Sequence, residues 1–143
     1  HPALKLFQKA KKHGVWNPQA IDLSKDAKDY AKLSDLEQTV LQHLTSMFVA
    51  GEESVTLDLL PLMLAVAREG RIEEEMYLTS FLWEEAKHTE FFSRVLSDVF
   101  KTKKDLHGFH SDAYKQLFYQ ALPNAMNALL TDTSPKAQAI ASV

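Results

Sequence analysis

A glutamate and a histidine three residues apart are the residues best suited to chemistry in this sequence. Glu85 and His88 lie in a long segment with helical periodicity, and at this spacing two side chains project from the same face of a helix. The other members of that face are apolar: Leu78, Phe81, Phe92, Val95 and Val99. Because an unpaired charge in an apolar core costs on the order of several kcal/mol, we expect a partner for this pair on a neighbouring helix.

The predicted partner is Glu52, in the preceding helical segment at residues 35–69. Glu52 is the only polar residue on the apolar stripe of that segment, whereas its neighbour Glu53 falls on a mixed face. The same argument selects Glu85 over Glu84, whose face is more polar and is predicted to be wetter. The pattern therefore predicts one inward carboxylate on the first helix and an inward carboxylate–imidazole pair on the second.

A tight turn at Gly70 is predicted to join the first helix to a second helix at residues 71–100. With a rise of about 1.5 Å per residue, Glu52, Glu85 and His88 all lie roughly 22–27 Å from this turn. An antiparallel hairpin would therefore bring the three side chains to the same height. Three polar groups would then meet at one point in an otherwise apolar interface.

The rest of the chain is predicted to be helical as well, with no strand pattern. Ser34 and Glu37 form a capping box at the start of the first long helix, and Pro61 should bend that helix near residues 57–61. Ser24 is the predicted N-cap of a short helix. The shorter predicted helices cover residues 1–12, 24–31, 111–121, 124–130 and 134–143.

Several other residues are expected to have only structural roles. The N-terminal region, residues 1–31, is predicted to be a packing arm with a turn at residues 16–18. Residues 101–110 are predicted to be a solvated polar link, and Trp83, Phe91 and Phe92 are predicted to pack in the core. The remaining histidines lack a carboxylate at ligand spacing on an apolar face and are predicted to be surface or packing residues: His1, His13, His43, His107 and His110.

Composition narrows the classes of function. The 143 residues suffice for one domain, and a net charge of −3 gives no basic surface for nucleic acid or anionic lipid. The absence of cysteine excludes disulfides, thiolate catalysis and cysteine-ligated metals. No run of 18 apolar residues occurs, so no membrane span is predicted. We expect a cytoplasmic protein.

A carboxylate on one helix and Glu-x-x-His on its neighbour make up half of a carboxylate-bridged dinuclear metal site. Carboxylate and imidazole ligands suit iron or manganese better than calcium or magnesium. Two metal ions call for about four carboxylates to balance their charge, and this pattern supplies only Glu52 and Glu85. The other half must come from residues outside 1–143 or from a second copy.

Two segments around these residues resemble the ribonucleotide-reductase small-subunit-like ligand-binding oxidases. They are residues 50–58, Ala-Gly-Glu-Glu-Ser-Val-Thr-Leu-Asp, and residues 84–92, Glu-Glu-Ala-Lys-His-Thr-Glu-Phe-Phe. The resemblance extends to residues 16–18 with 21–22 and to residues 131–143, and it covers nearly the whole chain. The resemblance implies an all-α, ferritin-like bundle with a manganese/iron site and a bound long-chain fatty acid. We therefore expect residues 1–143 to be the N-terminal half of a ferritin-like domain whose C-terminal helices are missing.

The resemblance also implies roles for individual residues. Glu52 would be a terminal metal ligand, Glu85 a bridging ligand and His88 a nitrogen ligand. Val55 matches the valine that forms an ether cross-link to a tyrosine, which is expected beyond residue 143. The implied small molecules are O₂ and a hydrophobic ligand, and a homodimer is expected.

Three alternatives remain open at this point. In a ribonucleotide reductase small subunit, a stored tyrosyl radical would require tyrosine where this chain has Phe92, and the first ligand is commonly aspartate rather than Glu52. Radical-free reductase subunits also lack that tyrosine. Two copies of the hairpin could instead assemble a ferroxidase or metal store. Finally, Glu85 and His88 could be a structural pair in a helical scaffold.

Overall fold

The computed structural model describes residues 1–102 and 107–142, and these contain helices and connecting segments but no strand. A helical hairpin forms the centre. It consists of α3 (Asp35–Asp58), which continues into α4 (Leu60–Arg68), and α5 (Ile72–Arg94). Gly70 at the turn has φ +71°, a value that favours glycine. The helices run antiparallel, and the all-α prediction is confirmed.

Pro61 divides the first helix where the sequence predicts only a bend. The α-helix breaks at Leu59, and Pro61 lies in the first turn of α4. The cause is that proline has no N–H to donate to the carbonyl of Leu57 and its ring crowds that turn. Leu59 keeps right-handed helical angles, φ −69° and ψ −23°, so the two helices follow one another closely.

The second helix also ends differently from the prediction. The α-helix stops at Arg94, and residues Val95–Val99 form a π-helical turn. Val99 packs there against Leu23 and Tyr30. Leu23 directly precedes α2 (Ser24–Tyr30), and Tyr30 is its last residue. The wider turn thus sits where the second helix meets the N-terminal region.

Helix caps follow the sequence in one case and not in another. Ser34 and Glu37 form the predicted capping box, with the Ser34 N–H donating to Glu37 Oε2 at 2.8 Å. The prediction of Ser24 as an N-cap is wrong, because Ser24 is the first residue of α2 and Leu23 precedes it. The Ser24 N–H instead donates to Asp22 Oδ1 at 2.9 Å.

The N-terminal region lies along the second long helix. Helix α1 (Pro2–His13) packs against α5 and ends at Gly14. Residues 14–21, which we call the arm, contain the 3₁₀ turn Pro18–Ala20 and also contact α5. The arm therefore covers one side of the helix that carries Glu85 and His88.

The C-terminal region packs against α3 and α4 of the hairpin. It comprises α6 (Asp112–Gln116), a π-helical turn (Leu117–Ala121), α7 (Leu122–Ala128) and α8 (Pro135–Ala141). The predicted gap between the helices at residues 111–121 and 124–130 is absent, because Pro123 falls in the first turn of α7 directly after the π turn. Leu59, Met126, Leu129 and Ala141 form a core cluster.

The hairpin leaves several large apolar side chains exposed. Trp83 is 63% exposed, so the prediction that it belongs to the core is wrong. The exposed apolar residues of α3 and α4 are Leu36, Val40, Leu41, Leu44, Met47, Phe48, Leu57, Leu60 and Leu64. Within the described residues, no helix is long and apolar enough to cross a membrane.

The predicted polar link at residues 101–110 is only partly described. His107–Phe109 forms a 3₁₀ turn, and Lys101 has φ 52°. Residues 103–106 lie outside the described residues.

Candidate metal centre

The structure brings Glu52, Glu85 and His88 together between α3 and α5. His88 Nδ1 lies 3.3 Å from Glu52 Oε2 and 3.4 Å from Glu85 Oε2. One ligand atom from each residue lies within 4.8 Å of the other two. Two oxygen donors and one imidazole nitrogen therefore point at a common volume, as the spacing around the turn predicts.

Helical phase explains why these carboxylates and not their neighbours face inward. The Glu52 side chain is 19% exposed and the Glu85 side chain 12%, whereas Glu53 is exposed. Thr56 and Thr89 meet across the same interface with their hydroxyl oxygens 3.3 Å apart. The contact fixes the register of the two helices close to the carboxylates.

The electrostatics of the three groups are unfavourable without a cation. The pKa of Glu52 is raised to about 7, first by burial and then by the adjacent Glu85 carboxylate, with His88 partly opposing both effects. A bound cation would remove the need for a proton between the two carboxylates. Because the donors are carboxylate oxygens and an imidazole nitrogen, the residues fit manganese or iron.

Val55 and an apolar pocket lie beside the carboxylates. Val55 is one turn after Glu52 and lines an open pocket of about 470 Å³ together with Glu52 and Glu85. The other lining residues are Leu44, Met47, Phe48, Gly51, Tyr114 and Phe118. The pocket thus joins a predominantly hydrophobic wall to the two carboxylates.

Phe92 occupies the position one turn after His88. Its ring stacks on Phe48 with centroids 5.5 Å apart and an interplanar angle of 5°, and it meets Phe91 edge-on. A phenyl ring has no hydroxyl to donate or to oxidise. Phe92 therefore acts as an apolar wall across the α3–α5 interface.

Sequence reasoning missed the surroundings of Glu84. Trp16 Nε1 donates to Glu84 Oε2 at 2.7 Å, and Lys87 Nζ lies 2.7 Å from Glu84 Oε1. The Trp16 ring stacks on His88 with centroids 5.6 Å apart. The Lys87 side chain is only 7% exposed, so this face is drier than predicted. The i,i+3 spacing of Glu84 and Lys87 was the available signal, but the position of Trp16 was not encoded locally.

The other histidines lie away from this centre. His110 is buried, with Nδ1 2.6 Å from the Tyr119 hydroxyl, and burial lowers its pKa. His1, His13, His43 and His107 are exposed. His1 also lies near Glu73 and Glu74 at the surface, with ligand atoms within 4.8 Å. None of the five joins Glu52 and Glu85.

A helical hairpin that presents two carboxylates and an imidazole at one height is half of the metal site of ferritin-like dinuclear carboxylate proteins. Comparison with known families identifies the chain accordingly. It belongs to the ribonucleotide reductase small chain family, whose family model matches residues 1–141. The ferritin-like prediction is therefore confirmed.

Solved structures give a narrower likeness within that family. A point mutant of an R2-like ligand-binding oxidase with an aerobically reconstituted Mn/Fe cofactor is 49% identical with a TM-score of 0.96, and the match covers 99% of this chain and 52% of that chain. A second mutant, also with an aerobically reconstituted Mn/Fe cofactor, is 51% identical with a TM-score of 0.93, covering 96% and 50%. This chain thus spans about half the length of these proteins.

Proposed function

We propose that the intact protein containing residues 1–143 is a dinuclear manganese/iron oxidase that activates O₂ and holds a long-chain fatty-acid-like ligand. The observation that carries this proposal is the convergence of Glu52, Glu85 and His88 within 4.8 Å. Glu52 would be a terminal ligand, Glu85 a bridging ligand and His88 a nitrogen ligand. The remaining ligands would come from the second half of the bundle, outside residues 1–143.

The chain's own residues would bind the metals and keep water away. When bound, a manganese/iron pair would supply the electrons for the reduction of O₂. Glu52 and Glu85 would offset the charge of the metals, and His88 would donate through Nδ1, the nitrogen nearest both carboxylates. Phe48, Phe91 and Phe92 lie against this site and would limit the access of water.

Metal content tests the proposal directly. The intact protein, purified from cells grown with iron and manganese, should contain both metals by elemental analysis. Protein that carries neither metal would contradict the proposal. Iron alone would retain a dinuclear site but reject the mixed manganese/iron assignment.

The apolar pocket supports the proposed hydrophobic ligand. Gly51 lines it, and a Cβ added there would meet no atom within 4 Å, so leucine at this position would occupy pocket volume. Gly51→Leu should therefore reduce the fatty acid recovered by solvent extraction and mass spectrometry while leaving metal content unchanged. Gly108→Leu is the control, because Gly108 also has free space but does not line this pocket.

Val55 supports a covalent test of the oxidase assignment. We propose that its Cβ forms an ether bond to the oxygen of a tyrosine outside residues 1–143. The C–H and O–H bonds would be lost, and two electrons and two protons would pass to O₂. Mass spectrometry should then show linked peptides that are lighter by two hydrogen atoms, absent from Val55→Ala.

Phe92 supports an oxidase over a radical-storing reductase subunit. Its phenyl ring fills the place where such a subunit needs a tyrosine, so no tyrosyl radical can form at that position. Stimulation of a larger catalytic subunit by the intact protein, in the absence of the cross-link, would favour the reductase function instead.

A further inference from the structure

The arm is fixed to α5 by two cationic side chains two helical turns apart. Lys87 Nζ donates to the carbonyl oxygens of Gly14 at 3.1 Å and Trp16 at 3.4 Å. Arg94 Nη1 donates to the carbonyl oxygen of Pro18 and, at 3.0 Å, to that of Ile21. Both ends of the arm are thus held by the helix that carries His88.

At the Lys87 attachment, Trp16, Glu84 and Lys87 form what we call the Glu84 cluster. One Glu84 oxygen accepts the indole N–H of Trp16 at 2.7 Å, and the other lies 2.7 Å from Lys87 Nζ. Lys87 also lies over the Trp16 ring, 4.9 Å from its centroid. Three contacts therefore hold the Trp16 indole in place: Glu84 accepts its N–H, Lys87 lies over its ring, and Lys87 also binds the Trp16 carbonyl oxygen.

The Trp16 ring passes this constraint on to His88. The two rings stack with centroids 5.6 Å apart and an interplanar angle of 28°. Among the described residues the His88 side chain is 40% exposed, and Trp16 is the aromatic ring that stacks on it. Nδ1 points at Glu52 and Glu85 in this orientation, and a rotated ring would direct it elsewhere.

We infer that the Glu84 cluster positions the His88 imidazole for metal binding, with Trp16 as the residue in contact and Glu84 and Lys87 acting through it. The cluster also occupies both Glu84 oxygens, which keeps this carboxylate from competing with its neighbour Glu85 as a ligand. This inference rests on the proposed metal site. Groups that orient a metal-bound histidine typically contribute about 10–100-fold in metal affinity.

The first experiment compares three variants of the intact protein by titration with Mn(II). Trp16→Ala should weaken Mn(II) binding by about 10-fold or more. Trp16→Phe keeps a ring on His88 and should recover most of the affinity. Trp83→Phe is the control, because Trp83 is exposed and its ring does not stack on His88. Phenylalanine also keeps an aromatic ring beside Lys87, whose Nζ lies 5.9 Å from the Trp83 centroid, so this variant should bind like the wild type.

The second experiment reads the histidine itself without metal. Imidazole ¹⁵N NMR of His88 should show altered and broadened signals in Trp16→Ala and nearly normal signals in Trp16→Phe. In a Trp83→Phe background, Glu84→Gln and Lys87→Met should make the Trp16 fluorescence easier to quench with acrylamide. Circular dichroism establishes folding, and if Trp16→Ala does not fold, Glu84→Gln and Trp16→Phe decide the question.

Specific outcomes would overturn the inference. Unchanged His88 signals in Trp16→Ala would do so, whether or not Mn(II) affinity fell, and so would equal losses of affinity in Trp16→Ala and Trp16→Phe. If the wild-type protein bound no Mn(II), the proposed function would fail. The metal-free NMR signals of His88 would then decide whether the cluster orients its ring.

Discussion

Two clusters of polar side chains differ sharply in their electrostatics although both include neighbouring residues of α5: the Glu84 cluster, and Glu52 with Glu85 and His88. Burial raises the pKa of Glu84, but hydrogen bonds from Lys87 and Trp16 and the Lys87 charge outweigh it, so that the pKa is lowered. Burial and Glu85 raise the pKa of Glu52 to about 7. The Glu84 cluster thus contains its own cation, whereas Glu52, Glu85 and His88 need one from outside. The difference separates a group that stabilises the fold from one suited to bind metal.

Removing the internal cation should have the largest effect on stability. Lys87→Met leaves Glu84 without its ion pair and two arm carbonyls without a donor. We expect the free energy of unfolding to fall by about 3 kcal/mol, measured by urea denaturation of the metal-free protein. Lys25→Met is the control: Lys25 pairs with Asp29 at the surface, where ion pairs contribute little. Equal losses in both variants would contradict the comparison.

Removing a carboxylate from the other group should have its main effect on metal. Glu52→Gln keeps the shape of the side chain but lacks the charge, so Mn(II) affinity should fall by about 10–100-fold, at least as much as loss of a supporting residue. Glu53→Gln changes an exposed neighbour and should have no effect in the same titration. Loss of binding in both variants would show that the overall negative charge of this region, and not the position of Glu52, controls Mn(II) affinity.

Stability of the metal-free protein should also depend on pH through Glu52. Its pKa is raised from 4.5 to about 7 by folding, so the folded state binds more protons than the unfolded state between these values. The free energy of unfolding should therefore fall as pH rises from about 4.5 to 7, by less than about 1.4 kcal/mol per pH unit. Urea denaturation at several pH values, with chelator present, should show this slope in wild type but not in Glu52→Gln.

Two glycines should respond in opposite directions to alanine, with the smallest effects. A Cβ at Gly14 would collide with Glu84 Oε1 and lie 2.9 Å from the Ala10 carbonyl oxygen, so Gly14→Ala should cost about 1 kcal/mol. Gly51 lies inside α3 with free space, and Gly51→Ala should add about 0.5–1 kcal/mol. Thermal unfolding measures both, and a gain at Gly14 would show that the arm can move away without cost.

Helical periodicity correctly predicted the features of the hairpin that depend on the local geometry of its two helices. It distinguished Glu52 from Glu53 and placed Glu52 opposite Glu85 and His88, because rise and phase are fixed once two helices share a tight turn. It also predicted a bend near Pro61, although not that the α-helix would break there. These features depend on residues a few positions apart.

Sequence patterns failed where contacts join distant parts of the chain. Trp16 reaches His88 across 72 positions from a segment without regular helical periodicity, so no spacing rule places it there. Trp83 was predicted to be buried from its type alone, yet no described element covers it. The face of Glu84 was predicted to be wetter, but Lys87 on that face is buried because the arm covers it.

The turn at Gly70 has a consequence for the order of assembly during synthesis. The three proposed ligands lie on helices joined directly by this turn, so only a short loop must close for them to meet. Contacts between nearby parts of a chain form fast. A nascent chain can therefore bring Glu52 to Glu85 and His88 as soon as α5 has left the ribosome, before α6, α7 and α8 have emerged.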